Sequence, residues 1–254
     1  MMTHKFNCHL FTVLIATCLL PAPLRASDAD YQAGLKAIAA NDTETALHSL
    51  ELAVEGDPDN LQYANEYRQL VIRSKEYDRS LKFFEKVSVE HPASANLYLN
   101  YGFAYVDKIP IAGSITQVIL ANNALTQFSK SIELQPSWIA YYTRGASYLF
   151  WPKIFNRAAF GVADLEKALE LQKTGPLRSY YVRTYISLGD GYWKTDDLKK
   201  ARAVWREGLK TFPNNAQLKK RLSLRGEALQ HAIEAGFDPD VRVNTDLKEL
   251  WTQD

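Results

Sequence analysis

Cysteine is nearly absent from this 254-residue chain, and both copies, Cys8 and Cys18, lie in the apolar N-terminal stretch. The body of the chain therefore has no thiol for a disulfide framework, a Cys-ligated metal site or a cysteine nucleophile. Glycine is scarce too, with 12 residues, which argues against Rossmann-like folds and the Gly-rich loops that cradle phosphates. An excess of one charge is also missing, since 30 Lys and Arg face 29 Asp and Glu. Phosphate recognition ordinarily leaves a basic footprint, so nucleic acid is not the expected partner. Histidine beyond residue 26 is limited to His48, His91 and His231, with no i, i+4 pair and no acid placed for an HExxH-like site. No serine sits in a GxSxG context. No run approaches the roughly 20 apolar residues that a bilayer-crossing helix needs. With 46% apolar and 23% charged residues, the composition is that of a folded, water-facing protein. It calls for no enzyme, no metal and no cofactor.

What is present begins with an address. In MMTHKFNCHLFTVLIATCLLPAPLRASDAD, Lys5 supplies a positive start, Leu10 to Leu20 form an apolar stretch, and Pro21 and Pro23 lead to the small residue Ala26. These are the parts of a secretory signal over residues 1–26, with cleavage expected after Ala26. Ile15-Ala16-Thr17-Cys18 resembles a lipoprotein processing box, but Thr17 is a poor neighbour for such a cysteine and Leu19 and Leu20 carry the apolar run past it. Residues 1–26 hold Lys5, Arg25 and no acid, so their removal leaves 28 basic against 29 acidic groups. An exported, near-neutral protein is expected, periplasmic rather than secreted or lipid-anchored.

Behind the leader a period emerges. Helical patterns end repeatedly in a residue followed by proline: Asp57-Pro58, His91-Pro92, Gln135-Pro136 and Phe212-Pro213. Pro58 and Pro92 are 34 positions apart, Pro92 and Pro136 are 44, and the 77 from Pro136 to Pro213 hold two units with extra residues. Residues 124–136 (ALTQFSKSIELQP) align with 161–173 (GVADLEKALELQK), with Lys173 in the proline's place. A recurring interval of this size is the signature of a repeat array. Residues 185–213, YISLGDGYWKTDDLKKARAVWREGLKTFP, resemble the tetratricopeptide repeat, whose pattern is W-x2-L-G-x2-Y, then A-x3-F, then P. Tyr185, Leu188, Gly189 and Tyr192 match its first helix, and Ala201, Trp205, Gly208 and Pro213 its second. Asp196-Asp197 supply the turn and acceptors for the second helix's free N–H groups.

Four graded copies precede it. Residues 27–60 keep Gly34, Ala46, Leu50, Ala53 and Pro58, while residues 61–94 keep Ser80, Phe84 and Pro92 but place Arg68 where the first helix has a small residue. Residues 95–138 keep Tyr98, Gly102, Tyr105, Ala124, Phe128 and Pro136, and residues 138–173 keep Tyr141, Gly145, Tyr148, Leu165 and Ala168. The resemblance implies an all-α, right-handed superhelical solenoid of about five helix pairs over residues 27–235, closed by a capping helix at 216–235. A tail follows at 236–254, with a last turn near 247–251.

Two departures from the pattern stand out. The turn inside the third pair carries about ten extra residues near 108–122, and the fourth about four near 150–161. Loops that merely connect are polar, yet these contain Ile109, Ile111, Ile115, Trp151, Ile154 and Phe155. They occupy equivalent places in adjacent repeats, so they should emerge side by side. They either fold back as a satellite core, form an apolar patch for a partner protein, or touch lipid beside Lys108, Lys153 and Arg157.

In tetratricopeptide proteins the first helices of successive repeats line a groove that holds a peptide. Carrying those positions over gives Tyr31 from the first repeat, Asn65 and Arg73 from the second, and Leu99, Asn100 and Phe103 from the third. The fourth contributes Tyr142 and Phe150, and the fifth Arg183, Asp190, Trp193 and Lys194. Aromatic anchors among amides and a few charges suit a peptide, whose backbone needs partners while its side chains fill pockets; packing between repeats is the competing role for each. The basic clamp of cytosolic co-chaperones is not reproduced: Asn65 and Asn100 fit it, Gln69 and Ile139 do not. The resemblance thus implies an exported interaction scaffold, or an assembly or maturation chaperone, with a protein or peptide partner. The alternative is a peripheral membrane-associated factor docked through the apolar inserts. Oligomeric state is not legible at this level.

Overall fold

Helical stretches of a few turns with one apolar face can bury that face only against a neighbour. The computed structural model, which describes residues 26–252, builds five such pairs. They are α1 (Ala26–Ala39) with α2 (Thr43–Gly56), α3 (Leu61–Ser74) with α4 (Tyr77–Glu90), and α5 (Ala95–Lys108) with α6 (Ser114–Leu134). The series continues with α7 (Trp138–Tyr148) and α8 (Ala158–Gln172), then α9 (Val182–Lys194) and α10 (Leu198–Thr211). Two short helices, α11 (Ala216–Ser223) and α12 (Gly226–Glu234), close the array, and no strand occurs among the described residues. The expected signal segment, up to residue 25, lies outside the described residues.

The turns explain the regular pairs. Asn41, Lys75 and Asp196 sit at the same point of pairs one, two and five in the left-handed conformation, with φ of 58°, 63° and 65°. Asp42 and Asp197 then cap α2 and α10, accepting from the Thr45 and Lys200 amides at 3.2 and 2.9 Å. Pro58, Pro92, Pro136 and Pro213 each follow two residues after a helix ends.

Packing follows the repeat. Leu50, Phe84, Phe128, Leu165 and Trp205 occupy equivalent places on the five second helices, and all are fully buried. Each leans on a small residue of its own first helix, Arg68 of the second pair excepted. A Cβ on Gly189 would lie 2.0 Å from Trp205 Nε1, and one on Gly102 2.3 Å from Phe128 Cε1, so only glycine fits under these rings.

Three features differ from expectation. The capping helix expected at 216–235 is broken: Leu224 and Arg225 are extended and Gly226 has a φ of 50°. Arg202 reaches from α10 to the break and donates to the carbonyls of Leu222 and Leu224 at 3.2 and 3.0 Å, satisfying groups the lost helical turn would have used. In the third pair, α6 starts as early as Ser114, so Ile115 and Val118 are helical, and only a 3-10 turn at Ile109–Ile111 and two linking residues remain as loop. Finally, residues 236–252 are more than a trailing end. They run from the ends of α9 and α7 across α5 to α3, then turn back through a single 3-10 turn at Lys248–Leu250 to meet α9 at Arg183.

Candidate functional site

Arg68 is the centre of the inner face. A small residue is usual at its position; here a fully buried guanidinium needs acceptors on every side. Its Nε donates to Asn100 Oδ1 at 2.9 Å, its Nη1 to Asp107 Oδ2 at 2.8 Å, and its Nη2 to Asn65 Oδ1 at 3.2 Å. Phe103 lies beneath, with the guanidinium carbon 4.8 Å from the ring centre. The same Nη2 also donates to the main-chain carbonyl of Thr245, at 2.9 Å.

The returning segment completes what α3 and α5 begin. Asn65 reads it from both sides, accepting from the Leu247 amide at 2.9 Å and donating to Asp246 Oδ1 at 3.0 Å. Thr245 Oγ1 donates to Asp107 Oδ1 at 2.5 Å, so both oxygens of that carboxylate are used. Arg242 donates to the Asp107 carbonyl and the Tyr77 hydroxyl, each at 2.9 Å. Leu247 is buried among Leu99, Phe103, Leu61 and Ile139. At the far end, Phe237 meets Phe150 edge to face, with centroids 5.4 Å apart, and Lys194 Nζ stands 4.3 Å above the Phe237 ring. Burial pushes the Lys194 ammonium below its ordinary value; the same amine donates to the Leu149 carbonyl.

Between these anchors the segment spans a hollow of about 850 Å³, bounded also by α5, the first half of α6, α7 and α9. Arg183 and Tyr142 stand at one corner. Burial raises the Tyr142 hydroxyl, and the Arg183 charge and Ser187 hydroxyl act against that rise. Arg183 pairs with Glu249 of the returning segment, Nη2 to Oε2 at 2.8 Å.

Of the groove positions carried over from the repeat pattern, Asn65, Leu99, Asn100, Phe103, Tyr142, Phe150, Arg183 and Lys194 surround the C-terminal segment or its hollow. The others do not join them. Tyr31 stacks on Tyr63 with centroids 4.6 Å apart and accepts from Gln62, which is packing between repeats. Asp190 is buried in a two-pronged pair with Arg221, both bonds 2.6 Å, tying α11 to α9. Burial pushes its carboxyl up, and the Arg221 hydrogen bonds pull against that. Trp193 packs in the C-terminal core beside Ile186 and Leu222, and Arg73 is exposed. Among the insert residues, Trp151 is buried under Arg157, 3.7 Å away, and Ile109 is half-buried. Ile111, Ile115, Ile154 and Phe155 remain exposed. Sequence reasoning noted Arg68 as a departure but gave it no role, and it missed Asp107 and the segment they hold. The available signal was Arg68 itself, a charge at a site that packs.

Among the described residues no group of three His, Cys, Asp or Glu side chains is arranged to hold a metal ion, and no helix is long and apolar enough to cross a membrane. No protein-family model matches the chain. Its fold is similar to TTC0263, a thermophilic TPR protein of Thermus thermophilus, with a TM-score of 0.53 and 18% identity over 81% of this chain and 100% of that one. It is similar to YrrB, a TPR protein described as having an unusual peptide-binding site, with a TM-score of 0.53 and 14% identity over 77% and 91%. A tetratricopeptide repeat protein from Parabacteroides merdae matches with a TM-score of 0.52 and 14% identity over 84% and 74%. At such identities the likeness establishes the fold, a helical solenoid of the tetratricopeptide type.

Proposed function

We propose that the protein is an exported interaction scaffold whose inner face captures an extended peptide segment, and that its own C-terminal segment holds this place in cis. The observation that carries the reading is main-chain recognition: Asn65 accepts from the Leu247 amide, and Arg68 donates to the Thr245 carbonyl. Contacts of this kind read main chain, and the Leu247 pocket adds a side-chain requirement. The likeness to YrrB supports it, since that protein is described as having a peptide-binding site. A partner would displace residues 240–252 and present an aliphatic side chain where Leu247 lies. An assembly or maturation chaperone of the cell envelope is the narrower role that fits, with the captured segment belonging to an unassembled client.

Calorimetry tests this. A chain ending at Pro239 should bind a synthetic peptide of residues 240–254, the full chain should not, and Asn65→Ala in the shortened chain should abolish binding. If the folded shortened chain ignores the peptide, the groove reading fails.

A second reading, a peripheral membrane-associated factor, rests on Ile115 and Ile154, which are 82% and 89% exposed. It is weakened by Lys108 and Lys153, whose charges pair with Asp78 and Asp196. Co-sedimentation with anionic liposomes, lost on Ile115→Ser plus Ile154→Ser, would favour it.

A further inference from the structure

We infer that the hollow beneath the C-terminal segment is a binding site for a single-chain amphiphile, a long-chain fatty acid, with its carboxylate at Arg183. Close-packed interiors leave few voids larger than a water molecule, and the roughly 300–1,000 Å³ of ordinary small-molecule sites brackets the 850 Å³ found here. The space is held open by construction. The segment is pinned at Phe237 against Phe150 and again at Thr245–Leu247, and it bridges the interval as a span. Val241 and Val243 line the hollow from the span and stay 59% and 37% exposed. Phe103, Val106, Val118, Ile139 and Trp151 line it from the solenoid.

Charge orients the occupant. Among the described residues lining the hollow, Arg183 is the sole cation, and Tyr142 and Ser187 line it with Arg183. The nearest competitor for that cation is Glu249, and the two side chains are 37% and 32% exposed, so a ligand carboxylate can take its place. Asp240, held by Gln117 at 2.8 Å, and Asp246, held by Asn65 at 3.0 Å, also line the hollow and would repel a second anion. An apolar body whose one acidic end takes the place of Glu249 at Arg183 therefore fits, and a polyanion does not. Ile111 and Ile115, exposed next to the lining residues Ile109, Pro110 and Ser114, give an apolar chain a path in.

This site needs the C-terminal segment in place, so it does not depend on peptide capture. Full-length protein titrated with palmitate, followed by calorimetry and tryptophan fluorescence, should show saturable one-to-one binding. Ala146→Phe, which fills the hollow from α7 four residues before the Phe150 anchor, should weaken binding at least tenfold at unchanged melting temperature. Glu249→Gln should tighten palmitate several-fold and leave hexadecanol, which has no carboxylate, unaffected. Absence of saturable binding overturns the proposal, as does an Ala146→Phe protein that folds and binds like wild type. A Glu249→Gln change shared equally by palmitate and hexadecanol overturns the headgroup assignment. None of these failures touches the peptide experiment, which reads Asn65 in a chain without the segment.

Discussion

Two buried arginines face two buried carboxylates in this solenoid, and they do different jobs. Arg221 and Asp190 close on each other through two 2.6 Å bonds, and the remaining Arg221 contact goes to Gln217 on its own helix. Everything the pair needs lies on the last helices of the solenoid, α9 and α11, with Trp205 of α10 beside Asp190. Arg68 and Asp107 share only one bond, at 2.8 Å. Their other hydrogen-bonding capacity goes to Asn65, Asn100 and, through the Thr245 carbonyl and hydroxyl, to the C-terminal segment. Burial and charge alone therefore do not separate a structural pair from a recognition site. What separates them is where the leftover donors and acceptors point. The first pair joins the cap to the last repeat, and the second addresses a main chain that comes from outside the repeats.

The comparison breaks most visibly at its structural member. Asp190→Ala leaves Arg221 buried without its counter-ion, a change that costs about 3–5 kcal/mol. A urea melt should show the whole of that loss, because α9 and α11 unfold with the body of the solenoid. Leu247→Ala acts on the other side. It empties a pocket under a segment that can partly relax, so about 2 kcal/mol is expected, confined to the C-terminal segment. Hydrogen exchange at the Leu247 amide should accelerate while the melt barely moves. A melt shifted as far by Leu247→Ala as by Asp190→Ala would make the segment an integral part of the solenoid and erase the distinction.

The fold was legible because each repeat states the same physical need in the same register. A ring such as Trp205 or Phe128 needs a glycine opposite, and a left-handed residue such as Asn41 or Asp196 needs a cap after it. The break at Leu224–Arg225 was less legible, since the carbonyls it frees are taken up by Arg202 from α10 and by Arg225 itself, contacts no pattern announces. For the inner face, register supplied direction but not partners. It aimed Tyr31 and Asp190 inward, and their neighbours Tyr63 and Arg221 then claimed them. Arg68 stood out only as a misfit. A guanidinium at a packing position needs a buried acid, and Asp107, a repeat further on, was the residue to look for. The C-terminal segment has no periodicity to read: its place comes from anchors that the solenoid supplies, and short extended chains carry little sign of their docking site.

The smallest effect bears most directly on recognition. Thr245→Val is nearly isosteric and keeps the main-chain carbonyl that Arg68 grips, while removing the hydroxyl that donates to Asp107. One hydrogen bond to a charged acceptor contributes about 1.5 kcal/mol or somewhat more, so release of the segment should become roughly tenfold more frequent. Exchange at the Leu247 amide or limited proteolysis within residues 241–245 would read that change directly. Asp107→Asn removes the charge from the same contact and also weakens the grip on Arg68. Because the two substitutions share an interaction, the double variant should cost less than the two separately. Strict additivity would mean that Thr245 and Asp107 act independently, and that the segment is held by Leu247 and its main chain alone.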